Sequence, residues 1–221
     1  MDVLDAMRTR YTARAYKPQP VDKETVLKIL EAANRAPSWG NSQPWHIYVA
    51  AGEVTERIRQ GFLERLHQGV PRQLDIPGVE KWPAAEQQRI GENGAARFKA
   101  MGIARDDKVA RQGMVENNHR FFGAPCVVYI CMDRTLTTWS VYDIGLLTEN
   151  ILLAATEYGV DSAVAVNLVN YPDIIRAEMG IPDSLAVVIG IALGYADPDD
   201  KWNIYRSTRR PIEEVVHLKG F

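Results

Sequence analysis

Pro125-Cys126-Val127-Val128-Tyr129-Ile130-Cys131-Met132 is a short apolar run rich in β-branched residues, bounded upstream by Gly123 and downstream by charge. Such a run predicts a buried strand. Side chains alternate across a strand, so Cys126 and Cys131 point to opposite faces, where both read as small core hydrophobes. Downstream, Val141 to Tyr158 is apolar over more than one face, with Ile144, Leu147, Ile151 and Leu152 prominent. That pattern predicts a helix buried on several sides, closed by Gly159. A strand over Ser162–Val166, a short helix over Pro172–Met179 closed by Gly180, and a strand over Ala186–Leu193 follow. Upstream, a short N-terminal helix ends in a basic turn. Asp22 is placed to cap a helix with a buried stripe of Val26, Ile29, Leu30 and Ala33, ended by Pro37, and a strand follows over Trp45–Ala51. Helices and strands are mixed without a regular βαβ alternation, so the fold class is α+β.

One stretch departs from this pattern. From about 53 to 112 charge crowds Glu53–Arg72, then Pro71, Pro77, Gly78 and Pro83 interrupt, and Ala-rich helical sequence resumes near Ala84. Its apolar content is too thin for a core of its own. It reads as an insertion or lid on one domain spanning 1–221.

The chain has 221 residues, 46% of them hydrophobic and 24% charged, which excludes low-complexity and wholly disordered classes. A net charge of −2 argues against bulk nucleic-acid binding and against a polybasic membrane surface. No secretory leader and no run of eighteen apolar residues is present, so the expectation is a soluble cytoplasmic protein. His46, His67, His119 and His217 show no metal-ligand spacing, and no metal is expected. A G-x-S-x-G elbow, a Walker A loop and a G-x-G-x-x-G turn are all missing.

Two polar elements remain. Arg10, Tyr11, Thr12 and Arg14 set guanidinium and hydroxyl groups beside a helix end, and Arg209 lies in a basic run before Pro211. Together they suit a phosphate, although solvated surface charge accounts for the same spacing. The loop Pro37-Ser38-Trp39-Gly40-Asn41-Ser42-Gln43-Pro44-Trp45 offers small hydrogen-bonding groups and a flat indole. A polar heterocycle would fit it, and so would a turn anchored by tryptophan.

These residues carry a resemblance to the FMN-dependent nitroreductase family over nearly the whole chain. Residues 37–45 resemble its P-S-x-x-N-x-Q-P-W block, and Arg10–Tyr16 resembles its arginine-led N-terminal element. Phe122-Gly123-Ala124-Pro125, the apolar helix before Gly159-Val160-Asp161, and Arg209 fall in the family's order. The resemblance implies a mostly antiparallel sheet flanked by helices in an intertwined homodimer, with FMN at the subunit interface. Arg10, Thr12 and Arg209, beside Tyr11, would hold the phosphate, and Arg14 would sit at the pyrimidine edge. Pro37, Ser38 and Trp39 would line the isoalloxazine from one subunit, with Asn41 reaching it from the other. Asn117 and Arg120 would meet ribityl and pyrimidine. Asp143 takes a position often polar, and Ala165, Val166, Asn167 and Leu168 would cover the flavin and offer an N–H to N5. Two departures stand out: Ala-Val-Asn-Leu replaces a Pro- and Gly-containing run, and Ser207 stands where many members have lysine.

The implied chemistry is hydride transfer from NAD(P)H to flavin N5, then ping-pong reduction of a small electron-poor acceptor, with no side chain named as catalytic. Reductive dehalogenation of the deiodinase type would need a Glu, Tyr and Lys set on the lid. Glu80, Lys81, Lys99 and Lys108 are there, but no tyrosine lies between Tyr48 and Tyr129. A branch that destroys its own FMN has no feature calling for it here. A flavin store or sensor without turnover is the alternative outside enzymes.

Overall fold

The computed structural model describes residues 1–221. Helix α1 (Val3–Thr9) is capped by Asp2, and α2 (Lys23–Ala33) by Asp22, whose carboxylate accepts from the Thr25 amide. The second helix ends at Ala33, earlier than Pro37. Asn34 closes it, and the Asn34 amide oxygen accepts from the Trp45 indole N–H at 2.9 Å. Strand β1 (His46–Ala51) leads to α3 (Glu53–His67), α4 (Ala84–Ala100) and α5 (Lys108–His119). Then come β2 (Cys126–Asp133), α6 (Thr138–Glu157), β3 (Asp161–Ala165), α7 (Pro172–Met179) and β4 (Leu185–Gly194). Pro172 at the first turn and Gly180, left-handed at φ 63°, set the bounds of α7.

The four strands form one antiparallel sheet in the order β1-β2-β4-β3. Strand β2 is central and sends alternate residues to two cores. Val127, Tyr129 and Cys131 pack with Ile58 and Phe62 of α3 and Ile175 of α7. Cys126, Val128, Ile130 and Met132 pack with Val26 and Ile29 of α2 and with Ile144, Leu147 and Ile151 of α6. Helices therefore cover both faces. Both thiols are buried and free, and burial pushes each pKa up to about 12, so they pack as apolar groups.

The segment 53–112 divides. Helix α3 contributes Ile58 and Phe62 to the main core, whereas α4 packs Phe98 with Met101 and Ile103 in a small separate cluster. Between α5 and β2 the chain makes a tight turn with Phe121 and Phe122 both left-handed, at φ 55° and 59°. That conformation costs roughly 1–2 kcal/mol per residue. Burial of both rings offsets it, as do two hydrogen bonds from Arg59, to the Arg120 carbonyl at 2.9 Å and the Ala124 carbonyl at 2.7 Å. No helix is long and apolar enough to cross a membrane, and no group of three His, Cys, Asp or Glu is placed to hold a metal ion.

Candidate functional site

Residues 12–17 leave α1 extended and run beside the sheet. Thr12 bridges Ser162 on β3, the Ala13 amide donates to the Ser162 carbonyl at 3.0 Å, and the Lys17 amide donates to the Tyr195 carbonyl at 2.8 Å. Arg14 is pinned at both backbone groups. Its amide donates to Asn203 Oδ1 at 2.7 Å, and its carbonyl accepts from Asn117 Nδ2 at 2.9 Å. Asn203 is buried, and its Nδ2 donates at 2.7 Å to the carbonyls of Ala15 and Asp197. A buried amide with every group paired fixes the tail against the N-terminal segment.

This arrangement builds a cleft of about 430 Å³ lined by Arg10, Tyr11, Thr12, Arg14 and Arg209, joined by Arg8, Arg97 and Arg206. Six arginines line it and no aspartate or glutamate does. Two half-exposed carboxylates stand just outside it, Glu149 at 3.6 Å from Arg10 Nε and Asp5 at 3.6 Å from Arg8 Nη1. Arg10 Nε and Arg97 Nε are buried without a hydrogen-bond partner. Burial, then the neighbouring Arg97 charge, pushes the Arg14 guanidinium down to about 10. Arg206 lies over the Tyr11 ring, 3.5 Å from its centroid, and donates to the Asn203 carbonyl. Arg209 is held by Ser207, whose Oγ accepts from its Nη1 at 3.0 Å. Partly desolvated cations in a cleft that no carboxylate lines suit a multiply charged anion, and phosphate oxygens match the guanidinium fork.

A second cleft, of about 480 Å³, is lined by Pro37, Ser38, Trp39, Trp139, Tyr142, Asp143 and Leu146. Asp143 is buried on α6, and its Oδ2 accepts from the Trp39 amide at 3.2 Å, which ties the loop to the helix. The loop kinks through Gly40, Asn41 and Gln43, all at positive φ, and the Ser38 hydroxyl accepts from the Gln43 amide at 2.9 Å. The indole that anchors the turn is Trp45, buried and bonded to Asn34, whereas Trp39 is 71% exposed and meets Trp139 edge-on at 6.0 Å, and Trp139 and Tyr142 are each 63% exposed.

The two clefts share no lining residue within one chain. Asn41 is exposed beside the second, with its carbonyl accepting from Gln43 Nε2 at 3.3 Å. Asn117 stands behind Arg14, and Arg120 is exposed at the end of α5, lining neither cleft. Ala165 ends β3, and Val166, Asn167 and Leu168 form a 3₁₀ turn with Val166 exposed and Leu168 buried. The first N–H groups of such a turn have no partner inside it. Leu168 packs flush on Gly190, where an added Cβ would lie 2.5 Å from the Leu168 Cβ. Spacing alone did not reach Arg97, Arg206 or Asn203. For Arg206 the signal was present in the basic run, but nothing local marked the other two.

The Nitroreductase family model matches residues 7–195 of the chain. The chain belongs to the nitroreductase family. A nitrobenzene nitroreductase of Ectopseudomonas oleovorans is 35% identical over 96% of this chain and 96% of its own. Among solved structures, the FMN and NADPH-dependent nitroreductase NfnB of Sphigopyxis sp. strain HMH superposes with a TM-score of 0.95, at 30% identity over the full length of both chains. The FMN-dependent nitroreductase NfnB of Mycobacterium smegmatis, solved in complex with NADPH, gives a TM-score of 0.91 at 30% identity, covering 99% of this chain and 100% of that one.

Proposed function

We propose that this nitroreductase-family chain is an FMN-dependent oxidoreductase that oxidises NAD(P)H and reduces nitroaromatic, quinone or similar electron-poor acceptors in alternating half-reactions. The observation that carries the reading is the cleft lined by arginines and free of carboxylates, with two buried guanidinium nitrogens left unpaired. Such a cleft fits the phosphate of FMN. Bound FMN supplies a two-electron carrier that accepts hydride at N5.

The side chains then divide the work. Arg10, Thr12 and Arg209, with Tyr11 beside them, hold the phosphate. Arg14 faces the pyrimidine edge and stabilises negative charge there. Asn117 acts through the Arg14 carbonyl, whereas Arg120 lines neither cleft and takes no part. Pro37, Ser38 and Trp39 give the ring a flat, water-poor wall that Asp143 keeps in place, with Asn41 at its edge. The 165–168 turn offers a backbone N–H toward N5. The 53–112 segment, through Asn93 and Arg97 of α4, borders the arginine cleft.

The arrangement is completed by a second copy. Trp39, Trp139 and Tyr142 form an exposed apolar surface on the second cleft, and Val3, Leu4 and Met7 expose another on α1. Surfaces of that kind mark interfaces. A homodimer would bring the aromatic cleft of one chain to the arginine cleft of the other. Sedimentation at micromolar concentration should give twice the chain mass of 24.8 kDa. A monomer that keeps its flavin would rule out the shared site.

The purified protein should be yellow, and acid should release FMN. NAD(P)H should bleach it, and a nitroarene should restore the colour. Release of FAD, or a colourless protein that refuses added FMN, overturns the reading; bleaching without reoxidation by any acceptor makes it a flavin store.

A further inference from the structure

We propose that Arg97 of α4 is a phosphate-binding residue, and that a bound organic phosphate dianion seats α4 over the arginine cleft. The proposal rests on the flavoprotein reading above and adds to it one residue of the 53–112 segment.

Arg97 reaches the cleft from the last turn of α4, far in sequence from Arg10, Arg14 and Arg209. Its side chain is half-buried and has no oxygen partner. The Nε is buried and unpaired, and Nη2 meets only the Met114 sulfur, at 3.1 Å. Sulfur is a weak acceptor for so strong a donor. Two guanidiniums, Arg14 and Arg97, therefore approach each other across a partly desolvated space with no carboxylate between them. Like charges so placed repel, and an anion between them reverses the sign of the interaction.

The rest of α4 does little to hold it there. Only Phe98 of the helix is buried, in a small cluster with Met101 and Ile103 against which Ala110, Met114 and Trp202 pack, and Arg111 lies over the Phe98 ring at 4.5 Å. Tyr205 gives one further tie, donating to Asn93 Oδ1 at 3.0 Å. With so little apolar anchoring, the charge balance at Arg97 weighs heavily in where α4 rests. The dianion is the monoester phosphate of FMN or the 2′-phosphate of NADPH, which carry the same charge and the same terminal oxygens.

The test uses the full chain, stripped of flavin and titrated with FMN and with riboflavin by fluorescence quenching. Arg97→Gln should raise the FMN dissociation constant about tenfold or more, in line with loss of one charge-assisted bond, and leave riboflavin within about twofold. Arg97→Lys should recover part of the loss. In parallel, FMN but not riboflavin should slow tryptic cleavage at Lys99, Arg105 and Lys108 in the wild type, and that protection should vanish in Arg97→Gln. If FMN affinity is unchanged but the KM for NADPH rises about tenfold on flavin-saturated enzyme, the phosphate is the donor's. Unchanged constants for FMN and for NADPH overturn the proposal while leaving the flavoprotein reading intact. Equal weakening of FMN and riboflavin also overturns it, because that is damage to the fold. A wild type that takes up no flavin brings down the flavoprotein reading first, and this proposal with it.

Discussion

Arg10→Ala is expected to weaken FMN binding roughly ten- to a hundredfold while leaving turnover of the flavin-loaded enzyme near wild type. The factor is that of one charge-assisted hydrogen bond, about 1.5–3 kcal/mol. Arg10 caps α1, its Nε is buried and unpaired, and Glu149 lies 3.6 Å off and half exposed, too weak a partner to neutralise it. The phosphate lies at the far end of the cofactor from N5, so hydride transfer should barely register its loss. Arg14→Ala should behave in the opposite way. Its backbone stays held by Asn117 and Asn203, so the cleft keeps its shape while the pyrimidine edge loses its cation. The flavin potential and the nitroarene rate should fall, with much of the binding retained. Dissociation constants come from fluorescence titration, rates from saturating FMN. If both variants match wild type in both quantities, within about 0.5 kcal/mol, the arginines are solvated surface charges.

Why those two arginines could be read from sequence, and Arg97 could not, is a matter of chain distance. Arg10, Thr12 and Arg14 share one extended segment, so local spacing already places them together. Arg97 joins them only because α4 folds back over the tail, and no periodicity in an Ala- and charge-rich helix marks one cation among several. The same limit hid Asn203. A buried asparagine with three partners looks, in sequence, like any polar residue of a tail. By contrast, the bounds of α7 were legible because Pro172 and Gly180 act on the backbone directly. The two-faced burial of β2 was legible because a run without polar residues has no side to give to water. Helix α3 shows where composition misleads. Its charge masks a stripe of Thr55, Ile58 and Phe62 that packs against the sheet, so the excursion from the core begins after α3. The two indoles of the 37–45 loop divide: Trp45 is buried and anchors the turn, while Trp39 keeps a flat face exposed. Spacing does not say which of two indoles in one loop is buried; that depends on the Asn34 side chain, which reaches the Trp45 N–H from the end of α2.

Asp75→Asn should lower stability by about 2–4 kcal/mol at pH 7, the loss for removing one member of a partly buried ion pair, reduced for solvent screening. Asp75 lies in the loop between α3 and α4, 10% exposed. Its Oδ1 accepts from Arg134 Nη2 at 2.9 Å, and its Oδ2 accepts from the Val187 amide at 2.8 Å and from Arg176. Arg176 is 12% exposed, and beyond Asp75 its hydrogen-bond partner is the Leu185 carbonyl at 2.9 Å. One carboxylate thus ties the loop to the start of β4 and to the turn before α6, while Leu74 and Ile76 on either side pack against the two cores. Asparagine can still accept from Val187, so the geometry survives and the charge is what goes. Burial alone would raise the Asp75 pKa, but the Val187 amide and the two guanidiniums more than offset it and hold it below the usual carboxylate range. A folded pKa depressed below the unfolded value of about 3.9 means the stabilisation is fully present above that pH. It is lost as pH falls through the folded pKa. Thermal midpoints of wild type and Asp75→Asn should therefore differ by roughly 5–15 °C at pH 7, and the gap should begin to narrow below about pH 4 and close only below the folded pKa. Equal midpoints at pH 7 would mean the loop is held by its apolar contacts alone. A gap that persists undiminished at pH 3 would mean the substitution acts through shape, with the charge of Asp75 irrelevant to the anchor.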